Sequence, residues 1–460
     1  GESGLVYVVR DDQKSNPMIF LTSSGIPRTV RQTQTEKPVI TAIKPASEFA
    51  GRTITITGSS FGETRRQKEN PALYSSVRFN AAPEIRSLGG AAFGFIEPDE
   101  NQGAYISWKE REIVLRIPDG AQTGLVSVNT GAGQSTTKPF TVKYQGGTKN
   151  ASGKHTFAIQ YSVDIAIEEA GESAVLYLWM AHPAANAAQR LGEILSYNAE
   201  PFLENYHGTM LFRLKDLRNG MKKKLTVERL VEVAALETNI DAAAINTAPA
   251  AGFEKIYREE SALVPSKNAA VQKAAAAAAG TEKNPYRLAR RMYDSLLNNY
   301  TIQFDNNQTD PIAALQTKRL GPYTASLLFC ALSRACGLAA VPVSGVLIGR
   351  SNETSTHHWA QFWLEDFGWV PVDIGFGAGQ APAGWNLRAN YREYYFGNID
   401  NQRIAFSQGE INVSKMDIQG RTAAFERMYS MQNIFEEAAG DLEAYSSFWS
   451  DVTITGMYQN

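Results

Sequence analysis

The sequence predicts a multidomain α+β chain, with an N-terminal β-sandwich, a second β domain in the middle and an α+β core after it. Three observations lead there. At 460 residues the chain exceeds what one hydrophobic core usually supports. Apolar residues mostly alternate with period two as far as about residue 240, and after residue 265 they switch to helical spacing. Between the first two blocks lies "QGGTKNASGK" (Gln145 to Lys154), which breaks the alternation and reads as a linker.

The 45 basic and 47 acidic residues leave a net charge of −2, which points away from nucleic acid or a membrane surface as the main partner. No apolar run approaches the roughly 20 residues of a membrane span. No signal peptide opens the chain, so any targeting segment is expected to have been removed. The two cysteines, Cys330 and Cys336, are expected on one helix about 9 Å apart, beyond disulfide reach, and so free.

The N-terminus repeats a later stretch. "SGLVYVVRDDQKSNPMIF" (Ser3 to Phe20) aligns without a gap on "TGLVSVNTGAGQSTTKPF" (Thr123 to Phe140). Residues 1–37 are therefore expected to end an earlier copy of the following unit, in a longer tandem array. That unit, 38–144, carries short strands at "VITAIKP", "RTITITGSSFG", "SSVRFN", "REIVLRIPDG", "GLVSVNTGAGQS" and "KPFTV", the spacing of an antiparallel sandwich. With Pro45, Gly51, Gly58, Phe61 and Gly62 in place, it resembles the IPT/TIG family of immunoglobulin-like domains. The resemblance implies a spacer or adhesive module of a bacterial surface or secreted protein. Gly58 and Gly62 read as turn glycines, and no residue of the unit asks for a chemical role.

A β domain is expected over 155–250. It opens with "HTFAIQYSVDIAIEEA", whose Phe157, Ile159, Tyr161, Val163, Ile165 and Ile167 share one face, and continues in "SAVLYLWMAHP", "GTMLFRLKDL" and "KKKLTVERLVEVAAL". His182 and His207 sit at strand ends without a second ligand at metal spacing, so no metal or cofactor is expected. The core is expected over 260–420. "SKNAAVQKAAAAAAG" reads as a helix stopped by Gly280, and Asn284 with Pro285 starts "PYRLARRMYDSLLNNY". Over 421–460, "AAFERMYSMQNIFEEAAG" reads as an amphipathic helix and "FWSDVTITGMYQN" as a strand.

Three segments, "GPYTASLLFCALSRACGLAAVPVSG", "HHWAQFWLEDFGWVPVDIG" and "YYFGNIDNQRIAFSQG", resemble the transglutaminase-like family of papain-type cysteine enzymes. The resemblance extends over roughly Phe157 to Gln408 and implies a papain-like α+β core. That chemistry needs a thiol at a helix N-terminus, an imidazole on a neighbouring strand and a carboxylate to orient it. His357, two residues before Trp359, matches the base, with His358 its competitor on the opposite face. Asp373, sixteen residues beyond His357, matches the orienting carboxylate.

The nucleophile departs from the family. Counting twelve residues back from Arg334 puts Pro322 in the cysteine slot, and a one-residue slip puts Tyr323 there. Proline brings neither thiol nor N–H, and one lost oxyanion donor alone costs about 10² to 10³ in rate. Cys330 and Cys336 lie about 12 and 21 Å further along the helix and read as core residues. Thr324 and Ser326 read as helix caps. Gln361 stands where active relatives often carry an acid.

The expectation is a non-catalytic, degenerate transglutaminase-like protein, a pseudoenzyme, that is extracellular, at the cell surface or periplasmic. Its retained cleft, with Trp359, Gln361 and Tyr323, would hold an extended peptide, protein or glycan. The alternative is an active protease or acyltransferase with a displaced nucleophile, or one using His357 and Asp373 with water.

Overall fold

A computed structural model describes residues 36–65, 75–81, 94–99 and 103–459 apart from 384 and 386, together with four short N-terminal strands. Those four strands form two antiparallel pairs, Gly4–Val6 with Met18–Phe20 and Val9–Arg10 with Gln13–Lys14. Their registers, Gly4↔Phe20 and Val9↔Lys14, correspond residue for residue to Gly124↔Phe140 and Asn129↔Gln134 in the sandwich that follows. The rest of the expected end of an earlier copy, up to residue 35, lies outside the described residues.

In the sandwich, Tyr105–Lys109, Glu112–Arg116, Thr53–Ser59 and Val39–Lys44 make one sheet. The facing sheet is built on Gly124–Thr130, Lys138–Lys143 and Ser76–Asn80, with the short Ser47–Phe49 added in parallel at its edge. Alternate residues such as Ile54, Ile56, Val77, Phe79, Ile113 and Leu115 meet in the space between the sheets. Gly58 corrects the reading of it as a turn glycine. It lies inside a strand, where a Cβ would stand 1.9 Å from the Val39 carbonyl oxygen, so close backbone approach requires it.

The expected linker is also corrected. One strand, Gly147–Ala170, runs straight through most of it and pairs with Lys222–Ile240, so the break shrinks to Gln145 and Gly146. Local composition favoured a loop, but the far end of Lys222–Ile240 offers backbone partners along the whole stretch, and this pairing overrides composition. Phe157, Ile159, Tyr161, Val163, Ile165 and Ile167 are all buried on one face. They pack against Val175–Ala181 and Thr209–Leu214 of a second sheet, making the middle unit a second sandwich.

Strands from the C-terminus complete both of its sheets. Leu442–Trp449 and Thr453–Gln459 pair with Gly147–Ala170, and Glu436–Ala439 pairs with Val175–Ala181. The amphipathic helix expected across 423–440 is absent. Tyr429, Met431 and Ile434 are instead buried in three different clusters, and Phe435 is buried as well. The Gln432 amide donates to the carbonyls of Trp179 and Ile434. The apolar spacing was real, but the neighbouring sheets supply contacts that a helix could not reach.

The core packs Ala269–Ala279, Pro285–Asn299, Pro311–Thr317 and Pro322–Ala335 on an antiparallel sheet. Its strand order is Gly368–Val372, Thr354–Leu364, Ala340–Ile348, Arg403–Gln408. Asn268 and Asn284 cap the first two helices through their side chains, and Gly280 ends the first with φ +56°. Ala340–Ile348 is buried at every position: on one face Ala340 meets the helices while Val346 and Ile348 meet the middle sandwich, and on the other Val341, Val343 and Leu347 pack into separate clusters. A continuous apolar run such as "AAVPVSGVLI" is the sequence mark of a strand covered on both sides.

Candidate functional site

The helix Pro322–Ala335 sets the position of the site. Gly321 is its N-cap and Pro322 its first residue, and the Thr324 hydroxyl accepts the Gly321 N–H at 3.1 Å. The Ser326 hydroxyl donates to the Tyr323 carbonyl at 2.8 Å. Both hydroxyls are buried and committed to the helix start. Cys330 is wholly buried in the helix core, where burial pushes its thiol up to about 12. Cys336 is half-buried, its thiol also raised by burial.

Strand alternation then separates the two histidines. His357 Nε2 lies 2.8 Å from Asp373 Oδ2, so the ring donates this proton to the carboxylate. His358 points the other way: its Nδ1 lies 3.0 Å from the Ser344 hydroxyl, which itself donates to the Met428 carbonyl. Burial first, and the neighbouring cationic charges next, hold His358 well below the ordinary histidine range.

The helix tip divides in the same way. The Tyr323 ring stands edge-on to His358 at 4.9 Å. Pro322 is the residue on the His357 side. A Cβ built on Gly375 would lie 3.7 Å from Pro322 Cγ and 3.6 Å from His357 Cε1. Of the two residues that competed for the nucleophile slot, the proline is the one near the imidazole. His357 Nδ1, the nitrogen not engaged by Asp373, is buried with no hydrogen-bond partner.

Two charged residues that sequence reasoning missed complete this arrangement. Arg403 Nη1 donates to Asp373 Oδ2 at 2.7 Å, and its Nη2 to Asp400 Oδ2 at 2.5 Å. All three side chains are buried. Burial alone would raise the Asp373 carboxyl; the His357 and Arg403 charges and hydrogen bonds outweigh it and hold that carboxyl well below the usual range. Asp400 is lowered against its burial by the same guanidinium. Tyr395 closes the set, donating to Asp400 at 3.2 Å. The available signal was an Asp and an Arg three residues apart in "NIDNQRIAF", in the segment already singled out, just before an apolar strand.

The pocket over His357 is filled. Phe304 stacks on the imidazole at 5.5 Å and 10°, and Phe376 packs against it at 5.0 Å. Phe304 is brought there by the parallel pair Thr301–Ile302 with Arg319–Leu320, and by Gly321, where a Cβ would stand 2.2 Å from the Asn306 carbonyl oxygen. His357 is 0% exposed and Asp373 1%. The open groove expected to present them is therefore corrected to a closed, aromatic-lined core site, with Tyr323 on the far face. Trp359 and Gln361 line a different space, a cleft where the core meets both sandwiches.

His182 is engaged: Arg229 donates to its Nδ1 at 2.7 Å, and its Nε2 reaches the Glu204 carbonyl at 2.5 Å. Among the described residues no helix is long and apolar enough to cross a membrane.

Comparison with known proteins adds two family matches. Residues 272–374, from the first core helix through His357 and Asp373, match the transglutaminase-like superfamily, and residues 38–78 match the IPT/TIG domain. No curated protein matches the sequence. Among solved structures, a candidate cysteine protease from Cytophaga hutchinsonii aligns with 68% of this chain and 92% of its own at 16% identity and a TM-score of 0.40. A candidate protease from Parabacteroides distasonis aligns with 72% of this chain and 64% of its own at 10% identity and a TM-score of 0.20. A surface glycan-binding protein from Prevotella bryantii aligns with 49% of this chain and 67% of its own at 10% identity and a TM-score of 0.18. The chain thus contains a transglutaminase-like domain at 272–374, preceded by an IPT/TIG domain at 38–78.

Proposed function

We propose that the transglutaminase-like domain is non-catalytic, and that the protein acts in binding or structure in the bacterial extracellular or periplasmic space. One observation carries the reading: the residue beside His357 at the helix tip is Pro322, which has neither a thiol nor an N–H. A thioester cannot form there, and no oxyanion donor comes from that position. No neighbouring nucleophile replaces it, since Thr324 and Ser326 are tied into the helix start and Cys330 is buried with a raised pKa. On this reading His357, Asp373, Arg403 and Asp400 are a buried ionic network that fixes the sheet edge to the helix tip. Residues 1–37 read as the end of a preceding IPT/TIG repeat, and the IPT/TIG unit as a spacer or adhesive module.

The test is amide and ester turnover by the unaltered chain and by His357→Ala and Pro322→Cys. No turnover above background is expected of the first two, and measurable His357-dependent turnover is expected only once a cysteine is supplied. Turnover by the unaltered chain that disappears in His357→Ala overturns the reading.

A further inference from the structure

An amine and a carboxyl are held together out of water where the IPT/TIG sandwich meets the rest of the chain. Lys149 lies at the start of the strand Gly147–Ala170, and Asp119 in the turn that follows Glu112–Arg116. Their side chains are 3% and 12% exposed, and Lys149 Nζ stands 2.6 Å from Asp119 Oδ1. Asp119 Cγ, one C–O bond further on, is therefore at most about 3.8 Å from the amine, near the distance from which a nucleophile attacks. Gly368, at φ +97°, is what lets the two groups meet. A Cβ there would press on Asp119 Oδ1 and stand 2.8 Å from both Asp119 Cγ and Lys149 Nζ.

The surroundings favour losing both charges. The rings of Phe367 and Tyr144 flank the amine at 5.0 and 5.7 Å, and burial, the largest influence on it, lowers the Lys149 amine against the opposing pull of Asp119. A buried ion pair keeps the desolvation cost of two charges, whereas an amide carries none. Trp369 supplies the polar groups that such a bond needs. Its N–H donates to Asp119 Oδ2 at 3.2 Å, where negative charge gathers when Cγ becomes tetrahedral. Its carbonyl accepts from Nζ at 2.7 Å, which aims the amine and leaves an acceptor for the amide N–H. Fixed juxtaposition then supplies the effective concentration that an amine and a carboxylate lack in solution.

We propose that Lys149 Nζ and Asp119 Cγ condense in the folded chain to an intramolecular amide, an isopeptide bond that joins the IPT/TIG sandwich covalently to the strand that follows it. The ion pair is its precursor, and the step balances without a co-reactant. The ammonium passes one proton to Oδ1, and Nζ attacks Cγ, forming the C–N bond and placing the charge on Oδ2. The nitrogen then gives a second proton to Oδ1, its C–O bond breaks, and one water leaves into the cleft that Asp119 lines. The proposal is independent of the non-catalytic reading of the core. The test is the intact mass of the full chain after storage in the folded state at neutral pH, followed by peptide mapping. The expected mass is that of the sequence less one water, with a branched peptide joining Lys149 to Asp119. Lys149→Arg keeps the charge but its guanidinium stays protonated and does not acylate, so this variant and Asp119→Ala should keep the full mass. Asp119 precedes Gly120, where cyclisation of the backbone onto the carboxyl also expels a water. That product gives only linear peptides and persists in Lys149→Arg, and finding it as the source of the lost mass would overturn the proposal. An unaltered chain at its full sequence mass would overturn it too. The branched peptide is read on the unaltered chain, so the result stands even where a variant fails to fold.

Discussion

Pro322 Cγ and His357 Cε1 border a single point above Gly375, 3.7 and 3.6 Å from where its Cβ would stand. An imidazole oriented by a buried carboxylate thus has a pyrrolidine ring beside it where this chemistry needs a thiol.

The Asp373 network makes stability pH-dependent with a definite sign. The folded pKa of Asp373 is depressed, and so is that of Asp400, relative to about 3.9 in an unfolded chain. Their contribution is complete above about pH 4 to 5 and is lost as pH falls towards the folded values. Urea midpoints measured from pH 7 down to pH 2 should fall below about pH 4. In Asp373→Asn the fall should be shallower, and stability at pH 7 lower by about 3 to 5 kcal/mol, because Arg403 loses a buried partner. A midpoint that rises on acidification would contradict this account.

Phe304 decides whether His357 can be reached. In the unaltered protein, acylation of His357 by diethyl pyrocarbonate, followed by peptide mapping, should be no faster than global unfolding. Phe304→Ala removes the stacked ring and should make His357 modifiable under native conditions, at a stability cost of about 3 kcal/mol or less, since Phe304 is only partly buried. Equal rates in both proteins would show that some other group closes the site.

The two thiols should behave differently. Cys330, wholly buried and raised to about 12, should be silent to a disulfide reagent at pH 7.5 until the chain unfolds. Cys336, half-buried at the end of the same helix, should react slowly in the folded state. Titration should therefore count one slow thiol under native conditions and two in denaturant.

Lys149 ties the IPT/TIG sandwich to the core. Its ammonium, 3% exposed, donates to Asp119 at 2.6 Å and to the Trp369 carbonyl at 2.7 Å, while Asp119 also accepts the Trp369 N–H at 3.2 Å. Lys149→Ala should cost about 3 to 5 kcal/mol through the stranded carboxylate and carbonyl. Calorimetry should then show the sandwich melting apart from the remainder; a single undiminished transition would show that the contact is dispensable.

Much of this molecule can be read in one dimension because the signals are local. The sandwich strands at 53–59 and 124–130, the Asn268 and Asn284 caps, the stop at Gly280 and the helix at 322–335 depend on side-chain period and capping chemistry within a few residues. His357 and Asp373 were legible because a strand, a tight turn and a strand bring them together over a short span of chain. Arg403 and Asp400 were not, since a buried arginine is recognised only by the carboxylates that fold around it.

The sequence by itself determined that an IPT/TIG domain precedes a transglutaminase-like one, that a helix starts at Pro322 and that no cysteine stands at that start. Tertiary structure decided the rest. It chose Pro322 over Tyr323 as the neighbour of His357, turned the supposed linker and the supposed C-terminal helix into sheet, and closed the His357 pocket with Phe304. It also left a cleft at Trp359 and Gln361 instead. The physical reason is one of range. Period and capping act within a few residues, whereas backbone pairing, burial of charge and the filling of space are set by partners that the chain supplies from hundreds of residues away.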